Sequence, residues 1–321
     1  MKYSNETWSS LSLFLSTTTT QKYLQKRYTQ IGYPNCDSLS YQTCQPFIYY
    51  LEYAQTYYEQ AETASFSLRP ILQFYGFIQL LKACILTVDP GYPSSSSLLA
   101  HGVSTRKRKK QQYSFLTDEV KIQKNGLFSH MSEKMFHMKH SEGTKVTMAN
   151  LFSQIPEMDQ ELSYFHLSKS TPLIQVNAHE YTISNQILNV LHMTPTRFEA
   201  FFHTAFKLPV IVSEQNKTVT LKFEMDLTNY NLVPFRFNTL NQLTYLIPLK
   251  GYNNEQYNEI MAHYLLLYNL SMVARYETEW WIDLIKTTPN EDYPLIYKFL
   301  SITQQKTPFL VANWLFNENL L

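Results

Sequence analysis

The sequence predicts an α+β protein that is predominantly helical. Apolar and aromatic residues recur at helical spacing at both ends of the 321-residue chain, and alternating apolar and polar residues appear in its middle. Only seven glycines are present, which disfavours architectures that depend on many tight turns. We therefore expect helices at both ends and a small, mainly antiparallel sheet between them.

Three helices are predicted within residues 1–90. The first follows Thr20, a possible N-cap, and stops at Gly32 and Pro34, which are typical of helix ends. The second has one broad aromatic face and is expected to stop near Thr63.

The third helix is predicted to begin at Pro70, which suits a first helical turn, and to continue to about Leu86. Its apolar residues cover most of the circumference, so we expect it to be central and buried nearly all round. Gly76 would permit a close crossing with another helix. Lys82 and two glutamines interrupt the apolar run and would be costly in a bilayer, which favours a buried helix over a membrane span.

The middle of the chain divides into a basic, loop-rich segment over residues 91–150 and an α+β insertion over residues 151–250. Strict alternation over residues 219–225 indicates a half-buried strand, and residues 213–217 would form the hairpin loop before it. Further strand candidates are residues 173–176, 209–212 and 243–247. Helices are expected at residues 183–191 and 196–206, with Thr194 or Thr196 as a cap.

The C-terminal segment, residues 251–321, is predicted to be helical again. A helical pattern runs as far as Pro289, and a final pair of helices would cover residues 293–303 and 308–317.

Composition and cysteine usage suggest a cytoplasmic protein. The formal net charge is only +1, so any site for a polyanion must be a local patch. Cys36, Cys44 and Cys84 are widely spaced and lack a C-x-x-C pair, which suits neither a disulfide framework nor a structural zinc site. The first twenty residues do not resemble a signal peptide.

Three stretches carry a resemblance to a known family: SLRPILQFYGFIQLLKACILTVDPGYP, LLAHGVSTRKRKK and SMVARYETEWW. They resemble the YaaC-like family of Bacillus and related bacteria, and the chain is also remotely similar to the HEPN superfamily of helical bundles. The resemblance implies a bundle built from helices of both ends of the chain, with the α+β segment as an insertion. It implies no particular reaction, and it suggests an enzyme of purine-nucleotide metabolism as a protein partner.

The densest charge feature is a basic run that follows a short polar stretch. Glycine allows close backbone approach, hydroxyl groups donate hydrogen bonds, and clustered cations attract phosphate, so this loop is a candidate site for a nucleotide or RNA. A solvated basic loop is the alternative. The candidate residues are His101, Gly102, Ser104, Thr105, Arg106, Lys107, Arg108, Lys109 and Lys110.

Catalysis has one weak candidate. HEPN ribonucleases use an arginine and a histidine separated by four to six intervening residues, and only Arg197 and His203 have this spacing here. A pair on a helix surface is the alternative, because such spacing also arises by chance.

A histidine-rich stretch is a candidate metal site, but the sequence does not define a further ligand for it. His137 and His140 would share a helix face, with His130 and Glu133 nearby. Exposed histidines are the simpler interpretation, and we predict neither a metal nor another cofactor.

These observations favour a non-catalytic regulatory or interaction protein that binds a phosphate-bearing ligand, a cytoplasmic protein partner, or both. A metal-independent RNA-binding protein or ribonuclease of HEPN type is the alternative. The sequence leaves a homodimer open.

Overall fold

The computed structural model of the chain describes residues 2–105, 113–167, 170–224, 227, 233–247, 257–288 and 290–317. Helices lie at both ends and antiparallel sheets lie in the middle, as the sequence predicts. The helices are α1 (Lys2–Leu11), α2 (Thr17–Ile31), α3 (Cys36–Thr63), α4 (Arg69–Leu86), α5 (Leu127–Phe136), α6 (Met148–Phe152), α7 (Asp159–Tyr164), α8 (Gln186–Leu191), α9 (Pro195–Phe206), α10 (Glu259–Tyr276), α11 (Thr278–Thr287) and α12 (Asp292–Phe316). The strands are β1 (Val103–Thr105), β2 (Glu119–Ile122), β3 (Lys145–Thr147), β4 (Thr171–Asn177), β5 (Glu180–Ser184), β6 (Val210–Gln215), β7 (Thr218–Phe223), β8 (Phe235–Phe237) and β9 (Thr244–Leu246).

The chain divides into two compact units. The first unit combines Met1–Leu151 with Ile260–Leu321, and the second unit is Phe152–Glu259. Helices from both ends of the chain therefore belong to one unit, and the second unit is inserted between them.

Helix α12 packs against α4 and α1 in the first unit. The hydroxyl groups of Tyr58 and Thr307 lie 2.5 Å apart in the core, and Gln73 Nε2 donates to the carbonyl oxygen of Leu300 at 3.0 Å. Because both contacts are buried, they fix α12 against α3 and α4. The prediction that N- and C-terminal helices pack together is confirmed.

Helix α4 is buried nearly all round, as predicted from its composition. A Cβ atom built on Gly76 would lie 2.9 Å from Cβ of Tyr57 and 2.9 Å from Cε2 of Tyr58, so the predicted close crossing of α3 and α4 is confirmed. Within the described ranges, none of the helices combines the length and apolar composition that a bilayer span requires.

The predicted start of the helix that corresponds to α2 is wrong. Helix α2 begins at Thr17, and the N-cap is Ser16, whose side chain accepts a hydrogen bond from the backbone N–H of Thr19 at 3.3 Å. Thr20 lies one turn into the helix, where its hydroxyl donates to the carbonyl oxygen of Phe14 at 2.6 Å. Serine and threonine can both cap a helix, so residue type alone does not distinguish Ser16 from Thr20.

The predicted break between two final helices is also wrong, because α12 continues through Pro308. Proline removes one backbone donor and normally kinks a helix. Here Lys306, Pro308, Leu310 and Trp314 are all buried, so packing on both sides of the proline outweighs the lost hydrogen bond.

The segment between α4 and α6 contains a three-stranded antiparallel sheet that the sequence did not reveal. Its strand order is β1-β2-β3, and α5 lies between β2 and β3 in the chain. The strands are three or four residues long, which is too short for a recognisable alternating pattern.

The second unit contains a six-stranded antiparallel sheet with the order β6-β7-β5-β4-β9-β8. The predicted hairpin joins β6 to β7, but its turn is only Asn216 and Lys217, both with positive φ, so Ser213 belongs to β6. Thr194 caps α9, accepting from the backbone N–H of Arg197 at 3.3 Å. The predicted start of the preceding helix is wrong, since Ile183 lies in β5.

Candidate functional site

The predicted phosphate-binding loop begins in β1. The hydroxyl oxygen of Ser104 accepts a hydrogen bond from Gln123 Nε2 at 2.7 Å, and Thr105 pairs with Val120 of β2. The basic run, residues 106–110, lies outside the described residues. Its role in binding anions therefore stays a prediction.

Gly102 has a structural role in this region. It is buried with a φ of 77°, and a Cβ atom on Gly126 would lie only 2.4 Å from the Cα atom of Gly102. The two glycines let the backbones before β1 and α5 approach closely, because any side chain there would collide.

His101 is held in a fixed position by its backbone. Its carbonyl oxygen accepts hydrogen bonds from the backbone N–H of Phe128 at 3.1 Å and from the hydroxyl of Tyr264 at 2.9 Å. Its half-buried ring packs among aromatic rings of α4 and α10. The ring centroids lie 5.2 Å from Phe74, 5.5 Å from Tyr268 and 6.5 Å from Tyr75.

Two half-buried cations lie near this histidine. Arg275 of α10 donates from Nη1 to the hydroxyl of Tyr75 at 3.0 Å and from Nε to the carbonyl oxygen of Ser271 at 3.1 Å. Lys82 of α4 places its Nζ atom 5.4 Å from the ring centroid of Tyr50. We call this group the cationic tyrosine cluster, and it consists of Tyr50, Tyr75, Lys82, His101, Tyr268 and Arg275.

The electrostatics of the cluster favour an anion. Burial lowers the pKa of His101, and the positive charges of Arg275 and Lys82 lower it further. Burial also lowers the pKa of Lys82. Among the described residues, neither cation lies within ion-pair distance of a carboxylate. The cluster thus holds two positive charges that an added anion would neutralise.

Tyr92 adds an unsatisfied polar group beside the cluster. Its side chain is only 6% exposed, and its hydroxyl has no hydrogen-bond partner in the described part of the chain. Burial raises the pKa of Tyr92, and the neighbouring Tyr50 raises it further. A buried hydroxyl without a partner is costly, so a ligand atom at this point would gain a hydrogen bond.

The histidine-rich stretch does not assemble into a metal site within the described residues. The prediction of exposed histidines is wrong for His130. Its Nε2 atom lies 3.0 Å from Oδ2 of Asp89, and its ring stacks on Tyr92. His137 and His140 do not share a helix face, since α5 ends at Phe136.

The second unit contains a cleft of about 680 Å³ beside α9. His203 lines this cleft together with His179, Glu199, Lys222 and Glu224, whereas Arg197 is not among the lining residues. Residues six apart on an ideal helix point about 120° away from each other. The structure therefore does not bring the Arg197 and His203 side chains to one side of α9.

Sequence reasoning identified only His101 of the cationic tyrosine cluster. Lys82 carried a signal, because it is a cation within the apolar run of α4. The approach of Arg275 to Tyr75 joins residues 200 positions apart, and no local pattern reports such a contact.

The fold and the site define a predominantly helical α+β protein with a cationic group between its N- and C-terminal helices that no carboxylate of the described residues compensates. A family model described as YaaC-like Protein matches residues 12–315, and the chain belongs to the YaaC-like family. Comparison with curated proteins finds no match, and comparison with solved structures finds none. The resemblance to HEPN bundles is not shown by these comparisons.

Proposed function

We propose that this protein is a non-catalytic regulatory protein that binds a phosphate-bearing ligand, such as a nucleotide, at the cationic tyrosine cluster. The ligand would modulate its association with a protein partner, for which an enzyme of purine-nucleotide metabolism is our candidate. One observation carries the proposal: Lys82 and Arg275 are half-buried beside His101 without a carboxylate partner among the described residues.

The chemistry of the cluster suits a nucleotide better than a simple anion. Arginine and lysine bind phosphate oxygens through charge-assisted hydrogen bonds. The half-buried rings of Tyr50 and Tyr75 offer flat apolar faces on which a base can stack, which contributes about 1–3 kcal/mol per base in proteins that bind nucleic acids. A ligand with both parts would use the whole cluster.

Two of the three cysteines are unsuited to nucleophilic catalysis. Burial raises the pKa of Cys84 and of Cys44, so both remain thiols at neutral pH and are poor nucleophiles. A reactive cysteine would need the opposite shift.

Calorimetric titration with ATP, AMP, inorganic phosphate and adenosine tests the proposal. We expect the two nucleotides to bind more tightly than adenosine. Because a hydrogen bond to a charged group contributes about 1.5–3 kcal/mol, Lys82→Met or Arg275→Met should weaken nucleotide binding by about ten- to a hundredfold. Lys139→Met is the control, since Lys139 is 80% exposed and pairs with no carboxylate of the described residues other than the exposed Glu133. Absence of nucleotide binding, or equal binding by all variants, would refute the proposal.

The alternative function, a metal-independent RNA-binding protein or ribonuclease, is favoured by one observation. His203 and Lys222 line the same cleft, where they could meet an RNA phosphate. Cleavage of RNA in the presence of a chelator, lost on His203→Ala and kept in Lys82→Met, would support this function over the first.

A further inference from the structure

The outward face of α3 carries an unusual concentration of exposed tyrosines. Tyr41, Tyr49 and Tyr53 are 74%, 59% and 61% exposed, although tyrosine normally buries much of its ring. We call this surface the tyrosine face, and it consists of Tyr41, Tyr49, Glu52, Tyr53 and Glu59.

These side chains share one side of the helix. On an ideal helix Tyr41, Glu52 and Glu59 lie within about 20° of each other, with Tyr49 and Tyr53 about 80° and 120° from Tyr41. The opposite side of α3 carries the residues that pack into the core of the first unit. These buried residues include Phe47, Leu51, Ala54 and Tyr58.

The tyrosine face is also acidic. Helix α3 has 28 residues, contains four carboxylates and has no lysine or arginine. Among the described residues, neither Glu52 nor Glu59 lies in an ion pair, and Oε1 of Glu59 accepts only from the neighbouring Gln55. The negative charge of this face is therefore uncompensated within the described structure.

We propose that the tyrosine face docks a protein partner through a segment rich in arginine and lysine. Tyrosine rings attract such cations through their electron-rich faces, and tyrosine is prominent among the residues that dominate binding energy at protein interfaces. The glutamates give the docking its charge complementarity. The same carboxylates repel phosphates, so nucleic acids and anionic membranes do not fit this face.

Aromatic contacts connect the tyrosine face to the cationic tyrosine cluster. The ring of Tyr53 meets that of Tyr57 at 5.8 Å, and Tyr57 stacks on Tyr75 at 6.2 Å. Tyr75 in turn binds Arg275. Docking itself does not require the proposed ligand, because the two surfaces use different residues. Coupling between them rests on the proposed function.

The test uses the full-length protein and two synthetic amphipathic peptides of about 20 residues, a length that allows a helix to form. One peptide carries arginine and lysine on its polar face, and the other carries glutamate at the same positions. Fluorescence anisotropy measures binding, and circular dichroism checks that every variant is folded.

We expect the basic peptide to bind and the acidic peptide not to bind, with an affinity that falls as salt rises from about 50 to about 300 mM. The double variants Tyr49→Ala/Tyr53→Ala and Glu52→Lys/Glu59→Lys should each lose about tenfold or more in affinity. Tyr164→Ala and Glu142→Lys are matched controls, since Tyr164 is 79% exposed and Glu142 is exposed, and both lie outside α3. They should bind as the wild type does.

Three results would overturn the proposal. The basic peptide could fail to bind at low salt, or it could bind all variants equally. Alternatively, analytical ultracentrifugation could show self-association that both double variants abolish, in which case a second copy of the chain occupies the tyrosine face. If Lys82→Met loses nucleotide binding but still binds the basic peptide, the result supports docking at the tyrosine face independently of the nucleotide site.

Discussion

Substitution of Gly76 by alanine should destabilise the first unit, although alanine is the better helix former. The new Cβ atom would lie 2.9 Å from Cβ of Tyr57, next to the backbone, where no side-chain rotation can relieve the contact. It would also lie 2.9 Å and 3.0 Å from ring atoms of Tyr58. That ring is 1% exposed, and its hydroxyl is held by Thr307.

The size of the effect follows from two opposing contributions. Insertion of a methyl group into a packed core costs about 1–3 kcal/mol, and the fixed position of the Tyr57 Cβ atom places Gly76→Ala in the upper half of that range. Removal of glycine from a helix interior returns about 1 kcal/mol. We therefore expect a net decrease of about 1–2 kcal/mol in the free energy of unfolding.

Tryptophan fluorescence during urea unfolding measures this change selectively. The four tryptophans of the chain, Trp8, Trp280, Trp281 and Trp314, all belong to the first unit, so their signal follows the unfolding of that unit. Gly91→Ala is the control, because its Cβ atom would meet only Oδ1 of Asp89 at an ordinary 3.5 Å. If Gly76→Ala is as stable as the wild type or more stable, the close crossing of α3 and α4 is not what requires glycine.

Three further predictions use the same fluorescence assay. Asp292→Ala should cost about 2–4 kcal/mol, because its carboxylate accepts from the buried backbone N–H groups of Phe115 at 2.8 Å and Leu116 at 3.4 Å; a loss below 1 kcal/mol would contradict this. The pKa of His101 is lower in the folded protein than its ordinary value of 6.5. The contribution of this histidine to the free energy of unfolding is therefore fully present above pH 6.5 and is lost as the pH falls through the folded pKa. Wild type should therefore lose more stability on acidification than His101→Gln, and parallel losses would refute the shift. Tyr92→Phe should raise the free energy of unfolding by about 1–3 kcal/mol, since it removes a buried hydroxyl that has no partner among the described residues; a decrease would reveal a partner.

The candidate site could be predicted only in part. His101 belonged to the loop that the sequence singled out, but its neighbours there, Gly102 and Ser104, have contacts within the fold. The ring of His101 instead meets α4 and α10, which lie far away in sequence. Local composition shows which residues can bind phosphate, whereas the meeting of distant cations depends on how the helices pack.

The sequence by itself determined the class of the fold, the buried character of α4 and the β6–β7 hairpin. These features follow from local spacing and burial preference, which the side chains of each segment carry with them. Tertiary structure decided that α12 runs through Pro308, that Ser16 rather than Thr20 caps α2, and that Lys82 and Arg275 flank one histidine. In each case contacts with other parts of the chain decided the outcome, and local sequence patterns do not report such contacts.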